Sequence, residues 1–435
     1  MHVWIDAAAD VPELTVFGMT PVERHIRAAL KAGVPAARII ADYGSGSILS
    51  LPPDLAAAGL RIVSGSGTAA ERLKACAAEL GDTVFAVSGD SVVDPRLFVH
   101  LAPQHQTLVV SGDTRVPRAL AAAWSAVFGD WTEKGSAADR AVLLAPGTAI
   151  PAAADVHALG ATLLADGSAR KLTAEGFESH VALQRRDVPF WVRRVSDAHA
   201  RAATERFLFD ASYKGSTDVF TRYVYPYLVW PLTRLATRWR VHPNTITWIG
   251  IVAAFAAVPC FALGWWAWGF LLAYVMSVLD SVDGKVARLT FTSSALGNVL
   301  DHGLDIVHPP FWYAGWAIGL AGAWPPALAQ GNPLFTAAIV LVLLYVADRL
   351  VLAVYKWRYK GRGLHAHAPI DATVRAVIAR RNIFLPLFLV GVLLGLGPET
   401  FWLIVAWQAA TVAWHAVRTM WILARKEAPR GIQTA

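Results

Sequence analysis

From residue 243 onward the sequence is a series of apolar runs, each about as long as a helix that crosses a bilayer, and nothing else in the chain limits its fold as strongly. A crossing helix needs ~20 mostly apolar residues. Six runs qualify, at roughly 244–263, 266–288, 294–320, 334–357, 382–397 and 400–423. The basic residues between them alternate. The stretch "TRLATRWRVHPN" is basic, and the turn around Gly264 has no Lys or Arg. Lys285 and Arg288 close the second run, and "AGAWPPALAQGNP" carries no charge. The loop "KWRYKGRGLHAHAPIDATVRAVIARR" is heavily basic, "GLGPET" has no Lys or Arg, and the tail "RTMWILARKEAPR" is basic again. This positive-inside pattern predicts a multi-pass inner-membrane protein with both termini on the cytoplasmic side. Trp265, Trp266, Trp268 and Trp324 cluster at the predicted outer ends, as an interfacial aromatic belt does. The same basic loops account for much of the net charge of +7, so it does not point to a nucleic-acid partner.

Residues 1–205 read differently. Charged residues and alanine are mixed as in a soluble domain, and the start "MHVWIDAAADVPE" has neither the basic end nor the long apolar core of a signal peptide, which predicts a cytoplasmic domain. Short β-like runs ("HVWIDA", "ARIIADYG", "TVFAVSGD", "AVLLAPG") alternate with helical stretches, the pattern of an α/β fold with a mainly parallel sheet. "TPVE" at Thr20–Glu23 and "TAAE" at Thr68–Glu71 read as capping boxes that start helices. Cys76 and Cys260 suggest neither a disulfide framework nor a zinc site. Thr217–Arg240 is aromatic, basic and interrupted by prolines, and reads as an interfacial helix. The expected division is an α/β domain at 1–205, a linker and juxtamembrane helix at 206–242, a six-helix membrane domain at 243–425 and a tail at 426–435.

Four aspartates stand out in the second and third apolar runs. Asp280 and Asp283 are spaced i, i+3, and Asp301 and Asp305 i, i+4, so each pair shares one helical face. An ionised carboxylate near the bilayer centre costs ~2.5–3.5 kcal/mol on insertion scales, so such residues face the bundle interior. The turn "RLTFTSS" makes the two helices antiparallel neighbours, and the two pairs converge. Convergent carboxylates stay charged only beside positive charge. Hard divalent cations supply it, Mg²⁺ or Mn²⁺, and two ions ~3.5–4 Å apart form a clamp for phosphoryl-type transfer. Salt bridges from Asp283 to Lys285 or Arg288 would leave most of the negative charge unbalanced. Gly284, Ala287 and Gly297 remove side chains where a ligand or a partner helix comes close, and Arg288 can fork onto a phosphate.

The segment Asp280–Asp305 reads D-x2-D-G-x2-A-R-x8-G-x3-D-x3-D, which resembles the signature of the CDP-alcohol phosphatidyltransferases at every fixed position. "HPNTIT" at His242–Thr247 resembles that family's entry into its first span, and the resemblance covers about residues 214–425. It implies a reaction in which an acceptor hydroxyl attacks the β-phosphorus of a CDP-linked donor and CMP leaves. It implies that Asp280, Asp283 and Asp301 bind the metal ions with help from Asp305, and that Asp305 is also the base for the hydroxyl. Gly284, Ala287, Arg288 and Gly297 would hold the cytidine diphosphate part, and the chain would form a homodimer.

Residues 1–205 are similar to sugar nucleotidyltransferases in "GMTPVERHIRAALKAGV", in "FAVSGDSVVDPRLF", where Asp90 would be a metal ligand, and in "PFWVRRVSDAHARAATERFL". The fusion resembles bifunctional inositol-phosphate cytidylyltransferase/di-inositol-phosphate synthases. The first strand, however, leads into "DAAADVPELTVFG", which has no glycine before Gly18 and no basic residue to cradle a triphosphate. A degenerate domain without cytidylyltransferase activity is therefore expected, and with it a lipid donor, CDP-diacylglycerol.

On the acceptor side, Asp348–Arg349 is an intramembrane charged pair, either a structural pair or one that turns Arg349 toward an anionic acceptor. Arg380, Arg381 and Asn382 resemble the residues with which the family's polyol-phosphate branch holds its acceptor phosphate; a positive-inside anchor is the other reading. His308 reads as structural. The expected acceptor is an inositol phosphate or another polyol phosphate. Two other functions fit parts of the pattern: a bifunctional enzyme whose first domain makes the donor, and a cation-coupled transporter, against which no internal repeat is visible.

Overall fold

Val3, Trp4 and Ile5 are all fully buried, so the first strand must lie inside a sheet covered on both faces. The computed structural model describes residues 1–11, 13–45, 51–112, 139–181, 184, 186–329 and 331–428. The strands are β1 (His2–Asp6), β2 (Ile39–Asp42), β3 (Arg61–Val63), β4 (Val84–Ser88), β5 (Ser91–Val93), β6 (Leu108–Val110), β7 (Ala141–Leu144), β8 (Arg170–Leu172), β9 (His180–Val181), β10 (Arg186–Asp187) and β11 (Val192–Arg194). The main sheet runs β3-β2-β1-β4-β7-β6-β8. It is parallel from β3 to β4, but β7 is antiparallel to both its neighbours, so the sheet is mixed. Covering it are α1 (Pro21–Lys31), α2 (Pro53–Ala56), α3 (Ala69–Leu80), α4 (Arg96–Leu101) and α5 (Val156–Ala165). Thr68 and Glu71 form the full capping box at α3. At α1 Thr20 caps Glu23 N, but the Glu23 carboxylate turns to Arg27 and Arg240 instead.

The nucleotidyltransferase-like expectation finds no support here. In open α/β sheets a ligand crevice lies outside the carboxyl ends of the strands where their order reverses, here at β1 and β4. Those ends are filled by the protein's own cations. Arg72 of α3 bridges Asp6 (2.5 Å) and Asp42 (3.1 Å). Asp90, expected to hold a metal, is occupied by Arg140 (2.8 Å), Arg194 (3.0 Å) and Ser88 Oγ (2.6 Å). After β1 the chain turns through the short 3-10 segment Ala7–Ala9 rather than a glycine-rich loop.

Helix α6 (Ala198–Ala211) leaves this half and leads to α7 (Val219–Tyr223) and α8 (Tyr225–Arg238). α8 buries Val229, Trp230, Thr233 and Thr237 and exposes Leu228, Leu232 and Leu235. The helical half follows: α9 (Pro243–Ala262), α10 (Trp266–Leu289), α11 (Ala295–Ala321), α12 (Pro333–Arg358), α13 (Pro369–Val374), α14 (Arg381–Leu393) and α15 (Gly397–Arg425).

The expected six-transmembrane-helix bundle is corrected. Helices occupy all six predicted segments, but among the described residues only α9, α12 and α15 are long and apolar enough to cross a membrane. α14 has 13 residues, about 20 Å at 1.5 Å per residue, against a hydrocarbon core of about 30 Å. α10 and α11 are long, but the charged and polar residues of the signature dilute their apolar character.

The two halves share one core. Val16, Phe17, Trp191 and Phe207 of the α/β half pack in a single cluster with Trp230 of α8 and Val278, Val282, Val286 and Leu289 of α10. Polar contacts reinforce it. Buried Arg24 donates to the Leu289 carbonyl (2.9 Å), Lys31 to the Ser293 carbonyl (2.7 Å), and Arg240 pairs with Glu23 (2.8 Å). Gly18, at φ +73°, lies so close to the Thr237 carbonyl that a Cβ would overlap it.

Candidate active site

At 3.6 residues per turn, Asp280, Ser281, Gly284 and Arg288 fall on the side of α10 that faces away from the valine stripe packed on the α/β half. They line a cavity of about 190 Å³ whose other walls come from α11, α12, α14 and the segment between α6 and α7. Asp305, His308, Tyr345, Arg349, Arg375 and Arg380 also line it. The structure thus brings together Asp280, Gly284, Arg288, Asp305, Arg349, Arg380 and Arg381 of the residues singled out in the sequence. Asp283, Ala287 and Gly297 are not among the lining residues.

Arg381, in the first turn of α14, reaches between the two acid-bearing helices. Its Nη2 donates to Asp280 Oδ2 (2.8 Å) and its Nη1 to Asp305 Oδ1 (2.9 Å). Asp283 lies deeper, 4% exposed, and accepts from Thr247 Oγ1 of α9 (2.5 Å). The Arg288 guanidinium lies over Gly284, with Nη1 3.2 Å from where a Cβ would stand. A Cβ on Gly297 would come within 2.8 Å of Asn244 Oδ1, so that glycine lets the first turn of α11 pack on the start of α9. The side chain of Asp301 lies outside the described residues. Tyr345 donates to the Asp305 and Ile306 carbonyls (3.0 and 3.1 Å), fixing α12 against α11.

The predicted Asp348–Arg349 pair is largely divided. Asp348 is buried and pairs with His415 Nδ1 of α15 (2.5 Å), leaving Arg349 only a 3.9 Å contact to it. The Arg349 guanidinium instead lies 4.9 Å from the Tyr345 ring centroid and borders the cavity. Arg380 approaches Asp218, the N-cap of α7, at 3.6 Å, and Asn382 donates to the same carboxylate (3.2 Å). Burial works against the charge on Asp218, but Arg380 and the hydrogen bonds from Thr221 and Asn382 outweigh it and hold its pKa below the usual carboxylate value. His308, read as structural, packs on Trp312 (4.7 Å between centroids) and also reaches the cavity.

Sequence reasoning missed Tyr213, Lys214, Asp218, Arg375 and Tyr345. Arg375 belongs to the heavily basic loop already noted, and Asp218 sits in "STDVF", whose Ser/Thr/Asp run is an N-cap signal. Nothing local marks Tyr213 or Lys214.

The carboxylates offer only hard oxygen donors from two facing helices, the donor chemistry of Mg²⁺ or Mn²⁺. Among the described residues, no group of three His, Cys, Asp or Glu side chains is arranged to hold a metal ion. Arg381 stands between Asp280 and Asp305, where it balances both charges.

Residues 240–421 match the family model described as CDP-alcohol phosphatidyltransferase. The chain is 29% identical over 147 residues to the phosphatidylinositol phosphate synthase of Cutibacterium acnes, covering 34% of this chain and 66% of that one. It is 36% identical over 118 residues to cholinephosphotransferase 1 of Danio rerio, covering 23% of this chain and 28% of the relative. The chain therefore spans just under two thirds of the first of these curated relatives and little more than a quarter of the second. A solved structure of the Mycobacterium tuberculosis phosphatidylinositol phosphate synthase with CDP-DAG bound is 20% identical, covers 48% of this chain and 98% of that one, and superposes with a TM-score of 0.35. The family match begins at residue 240 and lends nothing to a nucleotidyltransferase assignment for the residues before it.

Proposed function

We propose that this chain, whose residues 240–421 match the family model of the CDP-alcohol phosphatidyltransferases, transfers a substituted phosphate from a CDP-linked donor to a hydroxyl of a phosphorylated polyol, releasing CMP, in membrane phospholipid synthesis. The observation that carries the reading is the charge of the cavity. Among the described residues, seven basic side chains border it, Lys214, Lys285, Arg288, Arg349, Arg375, Arg380 and Arg381, against three acidic ones, Asp218, Asp280 and Asp305. Such an excess suits ligands that bring several negative charges, a diphosphate together with an acceptor phosphate. The phosphatidylinositol phosphate synthases among the relatives support an inositol phosphate as acceptor, and CDP-diacylglycerol is the donor in this reading.

In this reading Gly284 and Arg288 receive the donor diphosphate, the glycine leaving room and the guanidinium donating to phosphate oxygens. Arg349, Arg375 and Arg380 hold the acceptor phosphate on the opposite wall. Asp305 takes the proton of the acceptor hydroxyl as its oxygen bonds to the β-phosphorus, and the bond from that phosphorus to the CMP oxygen breaks. Divalent ions, held by Asp280, Asp283, Asp301 and Asp305, would supply charge stabilisation at the phosphate oxygens. Arg381 keeps Asp280 and Asp305 aligned. Its observed contacts are to these two carboxylates. The homodimer and the cytoplasmic placement of the site remain part of this proposal.

The test is CMP release from CDP-diacylglycerol and an inositol phosphate by the full-length protein in membranes, with Mn²⁺ present. Asp305→Asn is expected to lower the rate by 10²–10⁴-fold, the range of a lost general base, roughly. Full activity in that variant would overturn the assignment of the base, and no CMP release by the wild type with any phosphorylated polyol would overturn the reaction.

A further inference from the structure

The cavity has a wall that the family-matched segment does not supply. The strap Ser212–Thr217 joins α6 of the α/β half to α7, and Tyr213, Lys214 and Ser216 line the cavity beside Gly284 and Arg288. The strap is fixed along its length. Ser212 Oγ donates to the Phe209 carbonyl (2.6 Å), Gly215 N donates to the Gln184 carbonyl (2.8 Å), and Asp218 caps α7 (2.8 Å to Thr221 N). Tyr213 is 3% exposed, and its ring centroid lies 3.8 Å from Lys285 Nζ, with the Phe209 ring also facing that ammonium at 5.8 Å. This cage ties the strap to α10 one residue from Gly284.

Held this way, the strap presents Lys214, an exposed side chain on the α10 side of the cavity. Lys214, Gly284 and Arg288 all border the same cavity, so strap and signature face one space. A lysine on a flexible four-carbon stem is a point charge suited to a phosphate. Resting on the transferase reading above, we propose that Lys214, carried by the strap from the α/β half, is a binding residue for the diphosphate of the CDP-linked donor. The α/β half thus completes the donor side of the site.

The experiment uses the full-length protein in detergent micelles and measures CDP binding by titration calorimetry, then the KM for CDP-diacylglycerol. Lys214→Ala is expected to weaken CDP binding and raise the donor KM roughly tenfold, the loss of one charge-assisted contact. The acceptor KM stays unchanged, and Lys214→Arg regains most of the loss. CDP binding by Lys214→Ala within twofold of wild type overturns the proposal, as does a rise confined to the acceptor KM. Asp305→Asn is measured in parallel. If it retains full turnover, the assignment of the base fails, and if the wild type releases no CMP the reaction fails, while the CDP titration of the Lys214 variants still decides the role of the strap.

Discussion

Replacing Arg381 with alanine tests the arrangement at the centre of the site without relying on turnover. The Arg381 and Asp280 side chains are 12% and 18% exposed and 2.8 Å apart. Removing one partner of a buried pair costs ~3–5 kcal/mol because the other charge stays behind. The residual exposure of Asp280 lowers that to about 2–3 kcal/mol. The second arm, to Asp305 at 47% exposure, adds no more than ~0.5–1 kcal/mol, as exposed pairs do. A total of roughly 3 kcal/mol corresponds to a melting shift of about 6–12 °C for a cooperative unit of ~150–250 residues. Divalent ions change the balance. If Asp280 and Asp305 ligate a metal, the ion replaces the lost cation. Arg381→Ala should therefore melt well below wild type in EDTA and regain most of the difference with millimolar Mn²⁺. The assay is a fluorescence melt in detergent with and without Mn²⁺. Equal melting in EDTA would refute the energetic role of the bridge. A deficit that Mn²⁺ leaves untouched would refute the sharing of these carboxylates with a metal.

Two further predictions concern the α/β half. Burial raises the pKa of Asp6 to about 6, with Arg72 opposing, and that of Asp10 to about 7, with Thr20 opposing. Both folded values lie above the unfolded carboxylate value near 4, so the folded state holds more protons in between. Its stability should fall as pH rises from about 4 to about 7, by an amount denaturant melts can follow; a rise over that window would contradict the assignment. Gly18→Ala puts a Cβ onto the Thr237 carbonyl at a left-handed φ and should cost roughly 1–3 kcal/mol. The measurable outcome is faster proteolytic separation of the halves, and unchanged cleavage would show that the contact is dispensable.

The parts of this molecule that could be read from its sequence are those set by local spacing. Asp280, Gly284 and Arg288 meet Asp305 at one cavity because helical spacing puts those three on one side of α10, and the α3 capping box forms as "TAAE" predicts. Contacts set by long-range reach could not be read. Arg381 reads in the sequence as one of the arginines that resemble the family's acceptor-phosphate residues or as a positive-inside anchor, and neither reading shows that it spans Asp280 and Asp305 on two other helices. Glu23 completes no capping box because Arg240, 217 residues away in sequence, takes its carboxylate. The six-span expectation failed for a related reason. Run length alone does not register that α14 is only 13 residues long, or that α10 and α11 give part of their length to a charged cavity.

The placement of α10 gives the α/β half a part in the site even though its own crevice is closed by arginines. A helix that lines a polar cavity with one face cannot be held by that face alone, since the carboxylates and glycines there do not contribute apolar packing. Its stability must come from the opposite side. On α10 that side is Val278, Val282, Val286 and Leu289, and they are buried against Phe17, Trp191 and Phe207 of the α/β half and Trp230 of α8. Arg24 and Lys31 of α1 then hold the turn that leads from α10 to α11. The orientation of the acid-bearing face is therefore fixed from behind by the α/β half, which gives it a structural role in the site that needs no chemistry of its own.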